Sequence, residues 1–201
     1  MTVREFLTEY LSVIMPADKA EKAAESLTEK YGSLHLIAST SVDVIAESVG
    51  ISTDTALMIK LLGYVHSRSI TDGLVFGKAY SEEEIKDYLI ALYTGLHVEV
   101  VYCISMDSHG RILSSDRLNI GTVNASEITA RSVVECACKR RASSVILAHN
   151  HPRGTAAASN QDISSTGIIR NVLAAAGVEL VAHYLVSETE CKSVGEQIRG
   201  I

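Results

Sequence analysis

The chain has 201 residues, enough for one or two domains, and 47% hydrophobic content is that of a protein with a packed core. Two prolines (Pro16 and Pro152) and no tryptophan argue against proline-rich architectures and against an aromatic platform for stacking nucleic-acid bases. With 18 basic and 24 acidic side chains the formal charge is −6, so any grip on phosphates must rest on a local patch.

At the N-terminus, Arg4, Glu5 and Glu9 interrupt every apolar run, so neither a secretory signal nor a membrane span is expected, and the chain is expected to be cytoplasmic. Apolar residues then recur at three- and four-residue spacing (Ala20, Ala23, Ala24, Leu27, Tyr31), with breaks at Pro16, Gly32 and Gly50, which predicts a run of short helices to about residue 66. Ser52 caps the last of these. The stretch from Ser67 to Tyr80 carries Gly73 and Gly77 without either periodicity and is expected to be a linker. Ser81 with Glu84 forms a capping box that opens a helix through Leu92.

The texture changes at Val98, where VEVVYCISM predicts a buried strand, Asp107–Gly110 a turn, and Arg111–Leu113 a second strand. A third strand is expected over Arg117–Val123, a helix over Ala130–Arg141, and a buried strand over Ser144–Ala148. A helix from Ser159 to Ala176, ended by Gly177, and a strand over Val178–Val186 complete an α/β (α+β) pattern. The expected organisation is a helical domain over 1–70, a linker over 71–80 and an α/β domain over 81–201. Four cysteines (Cys103, Cys136, Cys138, Cys191) show no CxxC spacing and read as reduced thiols.

The chemistry concentrates in AHNHPRGTAAASNQD, residues 148–162. Side chains two apart on an extended chain face the same way, so His149 and His151 can present two imidazoles to one point while Asn150 faces the other side. Pro152 stops the strand, Gly154 lets the chain turn, and Asp162 returns as a candidate carboxylate ligand. Three protein ligands with a fourth position open to water is the pattern of catalytic zinc (Zn2+). The same residues also admit simpler readings. Ser159 and Asp162 form a capping pair at a helix start, and the two imidazoles can be hydrogen-bonded without a metal.

HxHP followed by a short loop and SxxD resembles the signature of the JAMM (MPN-type) metalloprotease domain, and HNHPRG with Ser159 and Asp162 resembles its bacterial RadC branch. Glu99 at the head of a strand ending in Met106-Asp107, the Gly121-Thr122 pair, Arg131 and His183 fit the same branch. The resemblance covers residues 80–201, and more weakly the helical 1–70. It implies a cytidine-deaminase-like mixed sheet flanked by helices, with Zn2+ held by His149, His151 and Asp162 and Ser159 beside them as a hydrogen-bond donor. It also implies that Glu99 is the general base in hydrolysis of a peptide or isopeptide bond in a peptide or protein substrate. Two positions depart from the branch's usual residues: Arg153 where serine is common, and Ala158 where proline is.

A second reading is a DNA-repair or recombination accessory protein with a structural or vestigial metal site, which the family's traditional label suggests. Charge speaks against it. Residues 1–70 hold six basic and nine acidic side chains, a net of −3, and the remaining 131 hold 12 and 15, again −3. The segment Glu47–Ser52, the counterpart of a helix-hairpin-helix turn, has a single glycine, so the helical block reads as a degenerate hairpin module suited to packing or protein interaction. Lys139-Arg140-Arg141 lies at a helix C-terminus, where it complements the dipole. A metal-dependent nuclease ranks last, because one zinc with one carboxylate lacks the oxygen-rich pair of metals that phosphodiester cleavage commonly uses.

Overall fold

The computed structural model describes residues 2–120, 129–152, 154–187 and 190–199. The chain divides into two compact units, Met1–Ser69 and Ile70–Ile201.

The first unit is built from α1 (Val3–Ser12), α2 (Ala17–Tyr31), α3 (Leu34–Ser39), α4 (Val42–Val49) and most of α5 (Thr53–Asp72). Local chemistry sets their ends. Thr2 and Glu5 form a capping box on α1, while Gly32 and Gly50 close α2 and α4 in the left-handed region that glycine enters without a Cβ clash. The Ser52 hydroxyl accepts from the Thr55 amide at 3.2 Å, capping α5. Leu7, Leu11, Ala20, Ala24, Leu27, Ile37, Ile45 and Ile59 close the core of this unit. Helix α5 continues to Asp72, so helix occupies the start of the stretch expected as a linker.

Within this unit, Gly63 on α5 meets α3 so closely that a Cβ there would lie 2.5 Å from the Ala38 Cβ. Alanine gains about 1 kcal/mol over glycine in helix propensity, but overpacking a close contact costs about 1–3 kcal/mol. Gly63→Ala is therefore expected to be destabilising on balance, seen as a lower urea midpoint for helix loss in the full chain. A raised midpoint would show that α3 yields freely.

The second unit opens with α6 (Glu82–Tyr93), capped by the Ser81–Glu84 box. It continues through β1 (Val100–Met106), β2 (Ile112–Ile120), α7 (Ala130–Arg140), β3 (Ser144–Asn150), α8 (Asn160–Ala175), β4 (Glu179–Val186), β5 (Cys191–Ser193) and α9 (Val194–Arg199). Among the described residues the strands form one mixed sheet in the order β2-β1-β3-β4-β5, parallel only between β3 and β4. This is the expected mixed sheet flanked by helices. One expectation is corrected: Arg111–Leu113 and Arg117 onward are not two strands, because β2 runs unbroken from Ile112 to Ile120. Val123 and the Gly121-Thr122 pair lie outside the described residues, as does Arg153.

The two faces of the sheet follow from alternation along β3. Ile146 and Ala148 pack with Ile85, Leu89 and Tyr93 of α6, whereas Val145 and Leu147 pack with Val133 and Ala137 of α7 and Ile169 and Leu173 of α8. His149 continues the second set, so the strand aims it to the side on which α8 begins. On β4 the register slips once: Val145 pairs with Leu180 but Ile146 with Ala182, leaving Val181 as an extra residue. That bulge reverses the alternation after Leu180, so His183 points to the same side as His149.

Candidate metal centre

β3 ends where Pro152 follows His151, and the His151 amide donates to the Val186 carbonyl at 2.8 Å, tying the end of the strand to β4. His149 is buried, and His151 and Asp162 are partly so. The Nε2 atoms of the two histidines lie 3.0 Å apart, the His149 Nε2 is 3.2 Å from Asp162 Oδ1, and the His151 Nε2 is 3.9 Å from Asp162 Oδ2. A tetrahedral zinc with bonds of about 2.0–2.1 Å holds its ligand atoms about 3.3 Å apart. The Nε2–Nε2 and His149 Nε2–Oδ1 spacings lie close to that value, one ligand atom from each of the three residues lies within 4.8 Å of the others, and two imidazoles with one carboxylate are a donor set that zinc accepts.

Asp162 serves two purposes with its two oxygens. Oδ2 accepts from the Ser159 amide at 2.8 Å and from the Ser159 hydroxyl at 2.6 Å, while the Asp162 amide donates back to that hydroxyl, which completes the capping box of α8. Oδ1 is left facing His149. Capping and ligation are thus compatible, since the cap is what points the carboxylate at the imidazoles. Burial alone would raise the Asp162 carboxyl, but the neighbouring His149 imidazole and the hydrogen bonds from Ser159 outweigh it and hold the group ionised far below the usual carboxylate range.

Behind the ligands stands a buried polar chain. The His149 Nδ1 is 2.9 Å from the His183 Nε2, the His183 Nδ1 is 2.7 Å from the Thr166 hydroxyl, and that hydroxyl donates to the Asp162 carbonyl at 2.5 Å. Burial, with the neighbouring His149, pushes the His183 imidazole down to about 3 and keeps it neutral. On the other side, the His151 Nδ1 lies 2.9 Å from the Thr155 carbonyl. The loop carrying Thr155 is held from α9, where the Gln197 amide donates to the Ala156 carbonyl at 3.0 Å and accepts from the Ala158 amide at 2.7 Å.

Glu99 stands outside the His-His-Asp group. It is exposed and lies one residue before β1. The pairing of β1 with β3 ends at Val101 and His149, and beyond it the Asn150 side chain replaces the backbone ladder. Its carbonyl accepts from the Val100 amide at 2.8 Å and its amide donates to the Val98 carbonyl at 3.1 Å. One buried side chain therefore grips the backbone on both sides of Glu99. Sequence reasoning placed Asn150 on the far face from the histidines but gave it no task, and it missed Thr155, Thr166 and Gln197. Thr166 had a readable signal, since it lies four residues after Asp162 on one helix face.

Fold and site together define a metal-capable α/β domain, with two strand-borne histidines and a helix-capping aspartate converging at one sheet end. Residues 79–200 match the family described as the RadC-like JAB domain, and the chain belongs to that family. It is 28% identical to a UPF0758 protein of Cupriavidus taiwanensis over 193 residues, which is 94% of this chain and 85% of that one. A UPF0758 protein of Janthinobacterium is also 28% identical, over 98% of this chain and 88% of its own length. Among the described residues, no helix is long and apolar enough to cross a membrane.

Proposed function

We propose that the protein is a zinc-dependent hydrolase acting on peptide or isopeptide bonds, with His149, His151 and Asp162 as metal ligands and Glu99 as general base. The observation that carries this reading is the convergence of His149, His151 and Asp162, whose ligand atoms, one from each, all lie within 4.8 Å of one another. Bound there, Zn2+ would supply a Lewis acid for a carbonyl oxygen and bring a water's pKa toward neutrality.

The chain's own residues do the rest. Glu99 takes a proton from the attacking water and passes it to the leaving nitrogen, and Asn150 steadies the backbone that carries it. Ser159 orients Asp162; donation to an oxyanion would require its proton to leave Asp162 Oδ2, where it now lies. The helical unit, with its excess of acidic side chains, serves packing or protein docking rather than phosphate binding.

The test is metal content. Protein purified without a metal-binding tag, stripped with chelator and titrated with zinc is expected to take up one zinc per chain at this site. His151→Ala is expected to lose that uptake. Occupancy far below one zinc per chain in saturating zinc would overturn the reading.

A further inference from the structure

We propose that Thr166 and His183 are positioning residues of the metal site: they form a directed hydrogen-bond chain, anchored on the Asp162 carbonyl, that leaves the His149 Nε2 lone pair free to bind metal. The proposal rests on the metal reading above and adds two residues to it.

The argument is one of donors and acceptors. A backbone carbonyl only accepts, so the Thr166 hydroxyl, 2.5 Å from the Asp162 carbonyl, gives its single proton there. Its oxygen is then free to accept from His183 Nδ1–H at 2.7 Å. A neutral imidazole carries one donor and one acceptor, so the His183 Nε2 must accept, and its partner at 2.9 Å is the His149 Nδ1, which must donate. With its ring proton held on Nδ1 by this contact, His149 turns the lone pair of Nε2 toward the site.

His151 reaches the same state by a shorter route, because its Nδ1 faces the Thr155 carbonyl, which again only accepts. Two lone pairs 3.0 Å apart beside an ionised carboxylate repel one another and are stabilised by a cation between them. The fold invests in this arrangement. Thr166 and His183 are both buried, on different elements, and His183 faces the site only because of the bulge at Val181.

The experiment compares zinc affinity, by chelator competition, in the parent, Thr166→Val and Thr166→Ser, each checked for native circular dichroism. Valine keeps the shape but removes both the donor and the acceptor. His183 then has no reason to hold its proton on Nδ1 and can present Nε2–H to His149, forcing that ring's proton onto the metal-binding nitrogen. Thr166→Val is expected to bind zinc about 10- to 100-fold more weakly, with Thr166→Ser close to the parent.

A second measurement covers a valine variant that does not fold. Long-range 1H–15N spectra of the zinc-loaded parent are expected to show His183 protonated on Nδ1. Equal zinc affinity in parent and Thr166→Val, or an Nε2–H tautomer of His183, would overturn the relay while leaving the metal reading intact. A parent that binds no zinc would overturn the metal reading itself, and the relay with it.

Discussion

Glu99→Gln is expected to retain one zinc per chain and to lose hydrolysis by about 100-fold or more, the range that a positioned general base contributes. Gln has the volume of Glu and can hydrogen-bond a water, but its amide cannot take up a proton, so the variant separates holding the water from activating it. Residue 99 is exposed and is not one of the three metal-capable side chains, so stability is expected to stay within about 0.5 kcal/mol of the parent.

The assay is turnover on a peptide that the parent cleaves in a library, with metal content measured on the same samples. The loss is expected in kcat more than in KM, because the proton moves only as the transition state is reached. Full activity in Glu99→Gln would remove Glu99 as the base. Loss of zinc would instead make it a ligand.

The parts of this site that could be read from the sequence are those specified within a few residues. HxHP fixes two imidazoles by strand alternation and a stop, and SxxD fixes a carboxylate by helix capping; neither needs to know what lies across the sheet. The parts that could not be read depend on tertiary partners. Ser114, Ser115 and Asp116 resemble a break between strands, yet β2 passes through them. The Ser114 hydroxyl donates to Asp116, Tyr88 donates to Ser115, and Arg140 pairs with Asp116.

The bulge at Val181 is invisible for a related reason. VELVAHYLV keeps an apolar pattern on either side of the extra residue, and only pairing with β3 shows where the slip falls. β5 and α9, three and six residues long, are too short for periodicity to reveal them. Their contribution to the site, the grip of Gln197 on the loop after His151, is correspondingly absent from any local reading.

The second large effect is expected at Asn150, and the burial of its two partners sets its size. The Val100 amide is buried, so removing its acceptor leaves a donor with no partner; Val98 is exposed, and its carbonyl can turn to water. Asn150→Ala should therefore cost about 1–3 kcal/mol, most of it from the Val100 amide, and should lower the urea midpoint of the full chain accordingly. Asn150→Asp keeps an acceptor for Val100 but sets a carboxylate against the Val98 carbonyl in a buried position, and it is expected to be no better than alanine. Zinc uptake should persist in Asn150→Ala, since the His149 side chain lies on the opposite face of β3 from the Ala148 side chain and takes its support from His183. Turnover should fall with the loosening of residue 99. An unfolding free energy within about 0.5 kcal/mol of the parent would show that water replaces the amide at both positions. An unchanged turnover at a lowered midpoint would confine Asn150 to holding the sheet end together.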